Sequence, residues 1–545
     1  MAKCTVTVVD TASIQEYIFA SNNLKQNVGA SELVRLATSD WVFEILSGMG
    51  GTNMLRVQSA IGLCGWRFQE DLAIENEESA LVSEVVYASA GNAVIIFRTR
   101  DDALGFARRL TRRVLLSAPG LQLVVAHEDF DWCSDALAVK IGEVTGRLTE
   151  KKSDRKLSMP LLGLGVTADC QFTGLPAVGR DDDVGRYSAQ VRAKKESAES
   201  GNSRLRQLLR LDGYDITDVF DELGRTRGES SYIAVVHTDG NGIGNRIMAL
   251  REKYCRSCDN RSYIKVMRAF ASSLEDAARK SLQELCARLV DSIVVKNGKK
   301  SIDGLVELHG NYILPFRPIV FGGDDTTFVC DGRLGLALAA CYLTSLAGKD
   351  LADGKRLWAR AGIAVVKSHY PFAQAYILAE ELTASTKKSL QEWEESGFKN
   401  EGIAAMDWHF ASSGLIRNLA AVRNEDYTVQ NGRLTMRPVR LGQPTAADWR
   451  AWDQFKSTWR CIKEDWAGRR NKVKELQEVL RKGPKAVQYF RQAYGLPRLP
   501  TVPSDPESGQ TGWSGRRCCC FDAIEAMDFF VPMKEADDEK AVSDN

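Results

Sequence analysis

The same order of elements occurs twice along this chain, and that repetition limits its possible folds more than any single motif does. A strand over Thr5–Val9 is followed by a loop and helical region from Ile14 to about Leu46, a hairpin from Glu84 to Arg98, a helix from Asp101 to Leu116, a strand from Leu121 to Ala126 and a helix from Asp135 to Lys152. The second series is a strand from Tyr232 ending at Asp239, a helix over about Tyr263–Val295, a hairpin from Pro318 to Cys330, a helix over Leu334–Ala347, a strand over Ala359–Lys367 and a helix over Phe372–Lys388. Matching series of this length predict an internal duplication, and so two βαββαβ units in place of one large α/β domain. A chain of 545 residues is in any case too long for one ordinary core.

The two hairpins differ at their tips. In Arg317-Pro-Ile-Val-Phe-Gly-Gly-Asp-Asp-Thr-Thr-Phe-Val-Cys330 an apolar run enters the turn Gly322-Gly323-Asp324-Asp325 and a second run leaves it. The glycines permit unusual dihedrals and a close approach of phosphate or sugar to the backbone, and the adjacent carboxylates are hard oxygen donors for a divalent cation. In the first hairpin Gly91 and Asn92 stand where Asp324 and Asp325 do in the second, and neutral groups hold Mg²⁺ poorly. The first unit should lack catalysis even though Asp10 loosely matches Asp239.

Asp239 supplies the other part of the candidate site, since the apolar strand before it opens into Asp239-Gly-Asn-Gly-Ile-Gly244 ahead of a helical region. Asp239, Asp324 and Asp325 are the catalytic candidates, and with the carbonyl of Gly240 they are the metal ligands expected to hold Mg²⁺ or Mn²⁺. The backbone of Gly240, Asn241, Gly242, Gly244, Gly322 and Gly323 is the candidate nucleotide-binding surface. Such a site can hold two Mg²⁺ a few ångström apart, a pair suited to phosphoryl or nucleotidyl transfer: one ion aligns an attacking hydroxyl and lowers its pKa, and the other neutralises the triphosphate. A solvated turn is the plainer explanation of either motif alone; their joint placement at strand ends favours a site.

The strings HTDGNGIG, LPFRPIVFGGDDTTFVCDG, RAGIAVVKSHYPF and SIQEYIFASNNLKQNVGASEL resemble the polymerase-like large subunit of type III CRISPR effector complexes, especially its stand-alone relatives. The resemblance runs from about Thr5 to Asp528. It implies an α+β fold: two ferredoxin-like palm domains in tandem, related to GGDEF-type cyclases, plus an α-helical C-terminal domain. It also implies a nucleotidyltransferase that makes cyclic oligonucleotide signals from ATP in antiviral defence, with defence-system proteins as partners. Asn241 departs from the second acid usual in the family, which puts the number of metal ions in question. By the same resemblance Lys387 or Lys388, in Ser385-Thr-Lys-Lys-Ser389, contacts the triphosphate; a lysine near a helix C-terminus also serves as a dipole complement. The HD nuclease that heads many family members has no counterpart, because no His-Asp dipeptide occurs. An alternative is a non-catalytic palm scaffold within a CRISPR-like ribonucleoprotein.

The expected divisions are a degenerate first palm at 1–152, a linker or insertion at 153–229, a catalytic second palm at 230–400 and a helical domain with an acidic tail at 401–545. The segment Lys151 to Glu229 reads mostly as solvated surface with a short helix over Leu205–Leu211, and Pro500 to Arg517 as a flexible loop. Cys255-Arg-Ser-Cys258 has half the spacing of a zinc site, with Cys518-Cys-Cys520 as a remote second half. His237 is expected to be a satisfied core residue. Between Lys456 and Arg498 twelve Lys/Arg face four Asp/Glu, the most basic surface of a chain whose net charge is +1 and a candidate contact for RNA. No apolar run spans a bilayer and no signal-peptide pattern opens the sequence, so the expected location is the cytoplasm, with no membrane partner.

Overall fold

The computed structural model describes residues 3–58, 64–89, 91–154, 165–182, 185–223, 231–397, 402–411, 418–445 and 448–534. In the first unit, strands β1 (Lys3–Ala12), β2 (Ser83–Ser89), β3 (Asn92–Phe97) and β4 (Gln122–Asp131) form a sheet ordered β2-β3-β1-β4. In the second, β5 (Tyr232–Gly240), β6 (Phe316–Gly322), β7 (Asp325–Asp331) and β8 (Ala359–Lys367) take the same order, β6-β7-β5-β8. The longer helices of these two units are α1 (Leu24–Thr38), α2 (Arg100–Ser117), α3 (Leu137–Ser153), α4 (Ala189–Leu209), α5 (Ile243–Lys253), α6 (Asn260–Asp291), α7 (Gly335–Ala347) and α8 (Phe372–Glu395). This is the expected α+β architecture of two palm units followed by a mainly helical region.

The duplication extends to irregularities. Both hairpins shift register at equivalent points, between Val85 and Tyr87 and between Pro318 and Val320, and their last pairs are also equivalent, Ser89–Asn92 and Gly322–Asp325. A bulge bends and twists its strand, so the shared bulge aims both tips alike. In the first sheet Asp10 pairs with Asn92. In the second, the register that pairs Thr238 with Thr326 sets Asp239 opposite Asp325 one step on. Asn92 therefore stands in the register of Asp325, as the sequence alignment of the hairpins predicts.

Both sheets are covered on both faces, and the units share their cores. Val6 and Val8 of β1 enter one core with Ala234 and Val236 of β5; Val9 enters the other with Ile233 and Val235. Each such side chain contributes about 1.5–3 kcal/mol when fully buried, so the two units are held as one body. The long helix α6 adds an ionic contact between them: Arg268 and Arg261 both reach Glu84 of β2, which has no exposed surface, at 3.2 and 2.6 Å.

Three regions differ from expectation. The segment at 153–229, read as mostly solvated, contains the 21-residue α4, packed tightly along α1. Between Val191 and Leu205 its buried face is Lys194, Ala198, Gly201 and Asn202, which weakens any apolar periodicity: a Cβ on Gly29 of α1 would stand 1.6 Å from the carbonyl oxygen of Lys194, and one on Gly201 would stand 3.3 Å from Glu32. The second sheet continues past residue 400, through β9 (Ala405–Ala411), parallel to β8, and β10 (Val439–Arg440). Charged residues hide β9 in the sequence; its buried Asp407 accepts two hydrogen bonds from Arg423 at 2.7 Å.

The region from Pro500 to Arg517, read as a flexible loop, holds a short helix at Ser508–Thr511 and the strand Trp513–Ser514, with Val502 and Trp513 buried. It packs among α9 (Trp452–Glu464), α10 (Arg470–Arg481) and α11 (Pro484–Tyr494), beside a cluster in which Phe530 meets Trp452, Phe455 and Trp459 edge-on. The acidic tail lies, from residue 535 on, outside the described residues. Among the described residues no helix is long and apolar enough to cross a membrane.

Candidate functional site

The register of β5 and the turn of the second hairpin bring the three acids together. Asp239, Asp324 and Asp325 each present a carboxylate oxygen within 4.8 Å of the other two, the one such cluster of three or more potential metal ligands among the described residues. Gly240 makes this approach possible: a Cβ there would lie 2.7 Å from Cβ of Asp324 and 3.0 Å from Cγ1 of Ile243. Gly323 takes a positive φ of 68°, as the first turn position requires. Behind the tip, Thr326 Oγ1 and Tyr342 Oη are 2.7 Å apart and Thr238 Oγ1 donates to the carbonyl of Thr326, which holds β7 against β5.

Crowded acids raise one another's pKa. Burial, then the carboxylates of Asp324 and Asp239, push Asp325 up to about 7, with Glu380 of α8 adding to the effect. Asp325 keeps a solvent-exposed edge, but protein surrounds its carboxyl on the remaining sides. Asp324 is raised by burial and by Asp239. Asp239 is raised by burial against the opposing pull of Arg360 and Lys387. Three hard oxygen donors in so small a space fit a divalent cation, whose charge would relieve this repulsion.

Arg360 is the residue that sequence reasoning missed. It pairs with Asp239 across β5 and β8, is almost wholly buried, donates to Asp239 Oδ2, and donates from Nη1 to Asn241 Oδ1 at 2.7 Å. Asn241 is itself fixed, with its backbone N–H on the carbonyl of Trp358 and its amide nitrogen on the carbonyl of Ile403. That N–H is therefore not one facing a phosphate. Gly242, at φ 70°, starts α5, whose first turn has no side-chain cap. The N–H groups of Ile243, Gly244 and Asn245 have no partners within the helix and lie along the cleft.

Asp239 and Asp324 open onto a cleft of about 900 Å³ between the glycine loop, the Gly354–Trp358 segment and α8, with Asp325 beside them outside its lining. Arg246, Lys355, Arg356, Arg360 and Lys387 line it alongside Asp239, Asp324 and Glu394, with Trp358 and Leu390 as apolar wall. Arg246 braces the segment, gripping Asp353 with two nitrogens and donating to the carbonyls of Lys355 and Arg356. Lys387 faces the cleft and acts on Asp239, whereas Lys388, Gly322 and Gly323 are not part of its lining.

The first unit offers an internal comparison. Asp10 is ion-paired with Lys152 at 2.6 Å, and Lys152 stands as far into α3 as Lys387 does into α8. The first-strand acid thus already has its counter-charge, and Asn92, with its buried Oδ1 unpartnered, supplies no second acid. His237 is buried, 3.0 Å from Thr327 Oγ1, and burial lowers it to about 4, so it is the neutral core residue expected. Cys255 and Cys258 are exposed and Cys518, Cys519 and Cys520 are buried; the described residues bring the first pair no third ligand.

No family model and no curated protein matches the chain. Its coordinates are similar to solved structures of Csm1, a type III CRISPR protein. The Csm1–Csm4 cassette in complex with pppApApA matches with a TM-score of 0.50 at 14% identity, over 96% of this chain and 69% of that one. The cassette in complex with one ATP matches with a TM-score of 0.50 at 13% identity, over 97% and 70%. Csm1 in T. onnurineus matches with a TM-score of 0.49 at 14% identity, over 96% and 70%. At these identities the two likenesses at a TM-score of 0.50 show the fold alone.

Proposed function

We propose that this chain is a Mg²⁺- or Mn²⁺-dependent nucleotidyltransferase that joins nucleotides, ATP foremost, into a cyclic oligonucleotide signal in a CRISPR-like antiviral system. The observation that carries this reading is the meeting of Asp239, Asp324 and Asp325 at one end of a cationic cleft large enough for a nucleoside triphosphate. The two Csm1–Csm4 cassettes at a TM-score of 0.50, in complex with ATP and with pppApApA, support the choice of substrate class.

Asp239, Asp324 and Asp325, with the carbonyl of Gly240, hold the divalent cation. When bound, the cation lowers the pKa of the attacking ribose hydroxyl and neutralises the triphosphate. The chain's own groups do the rest by position. The uncapped first turn of α5 presents N–H groups to phosphate oxygens, and Lys387 sets a positive charge near the reacting phosphate. Trp358 and Leu390 form the wall against which a base lies. A 3′-hydroxyl of one nucleotide attacks the α-phosphate of the next, and the α–β anhydride bond breaks to release pyrophosphate. Repetition and ring closure give a cyclic product.

A protein partner of the kind that Csm4 is to Csm1 in the cassettes fits the same reading. RNA contact through the basic surface on α9 to α11 is a separate proposal, tested by whether affinity for single-stranded RNA falls steeply with salt. The enzymatic reading is tested by incubating the purified chain with each labelled nucleoside triphosphate and Mg²⁺ or Mn²⁺, beside a D324A/D325A variant. A phosphatase-resistant product that the variant does not make is the expected result. Nucleotide binding with no turnover under any condition, including added RNA and partner protein, favours the non-catalytic scaffold.

A further inference from the structure

Arg360 is placed among the acids by strand register, directly opposite Asp239. It is held on β8, hydrogen-bonded to strands on both sides, and is 7% exposed. Its guanidinium is committed to Asp239 Oδ2 and Asn241 Oδ1. We infer that Arg360 is a built-in cation standing in one of the two metal positions such a site otherwise offers, so that this chain holds a single divalent ion; this deepens the proposed function and rests on it.

Four observations converge. Asn241 is neutral and both ends of its amide are occupied, by Arg360 and by the carbonyl of Ile403 at 3.2 Å, so it is no ligand. Asp239 has one oxygen already bound, which leaves one for a metal. The three carboxylates lie within 4.8 Å of one another, close to the span of about 4.2 Å that oxygens around one Mg²⁺ reach. Three carboxylates and one guanidinium also sum to the charge that one divalent ion balances. The first unit solves the same problem by another route: there Val124 stands in the register of Arg360, and Lys152 neutralises Asp10 from the helix instead.

The test is a Mn²⁺ titration of the chelator-treated full chain followed by electron paramagnetic resonance, with binding to the D324N/D325N variant subtracted as background. One Mn²⁺ per chain, with the spectrum of an isolated ion, is expected for wild type and for R360K. R360Q, which removes a fixed positive charge a few ångström from the ion, should tighten that site by at least about tenfold. N241D/R360Q should bind two Mn²⁺ with a spin-coupled spectrum. Two coupled ions in the wild type overturn the inference and leave the enzymatic reading standing, as does unchanged affinity in R360Q. If N241D/R360Q fails to fold by circular dichroism, the contrast between R360Q and R360K decides alone. No difference between wild type and D324N/D325N overturns both readings.

Discussion

Gly240→Ala tests the site's geometry most directly, because one methyl group is set against the position of one carboxylate. The added carbon would stand 2.7 Å from Cβ of Asp324 and 3.0 Å from Cγ1 of Ile243. Carbon atoms pack at about 3.5–4.0 Å, so the hairpin tip or the strand end has to recede by about 1 Å. The tip is the part that yields, because β5 lies between β7 and β8 in the middle of its sheet. Stability should change little, since the displaced turn is at the surface and overpacking there relaxes at the low end of the usual 1–3 kcal/mol. Function should change much more: a displacement of about 1 Å at a reacting centre costs on the order of a hundredfold in rate. The assay is turnover of ATP with Mn²⁺, paired with Mn²⁺ affinity and a thermal melt on the same preparation. The expected pattern is a fall of about a hundredfold in turnover with a melting temperature within a few degrees of wild type. Wild-type turnover and Mn²⁺ affinity in G240A would refute the claim that the close approach of Gly240 to Asp324 builds the site.

Asp325→Asn should stabilise the metal-free protein, more at pH 8 than at pH 5.5. The folded-state pKa is raised to about 7, so the ionised form opposes folding, a penalty absent below the ordinary carboxylate range and complete above pH 7; melting temperatures in chelator at the two pH values check the sign, and an advantage that shrinks at pH 8 contradicts it. Glu84→Gln should lower stability by about 1–3 kcal/mol in urea unfolding, because Arg261 and Arg268 lose the buried carboxylate they share while keeping their pairs to Glu75 and Glu70. Lys387→Ala should reduce turnover by about tenfold or more while Lys388→Ala stays near wild type, since Lys387 alone of the two lines the cleft; equal losses would remove the assignment of Lys387.

Most of the element order was legible because strands and helices here carry strong periodic signals. The strand at Ala359–Lys367 has the bounds the sequence suggests, and the acids at both strand ends were readable as chemistry. What escaped depended on contacts distant in sequence. Arg360 reads in Arg-Ala-Gly-Ile-Ala-Val-Val as a polar flank to an apolar strand; only pairing across 121 residues shows it to be the counter-ion of Asp239. Only the end of the helix Ala189–Leu209 was legible, at Leu205, because the middle of its buried face is Lys194, Ala198, Gly201 and Asn202 and carries no large apolar side chain. β9 escaped because Asp407 and His409 look wrong for a buried strand until Arg423 answers the first and Tyr427 packs edge-on against the second.

The duplication separates what this fold needs for its shape from what it needs for chemistry. Both copies keep the sheet order, the bulge before the tip and the acid at the end of the first strand, although only one copy uses them for a cluster of carboxylates. The retained acid of the inert copy is not idle: Asp10 holds Lys152 and so ties α3 to β1. In the other copy the same position is held by Arg360 from within the sheet, which leaves Lys387 free to face the cleft. A lysine that closes an ion pair in one unit thus becomes a charge available to substrate in the other. The exchange required one residue, Arg in place of Val in register with the strand-end acid. On this argument R360V should do more than uncover Asp239: it should draw Lys387 onto that carboxylate, and the cleft would lose the charge of Lys387 along with that of Arg360.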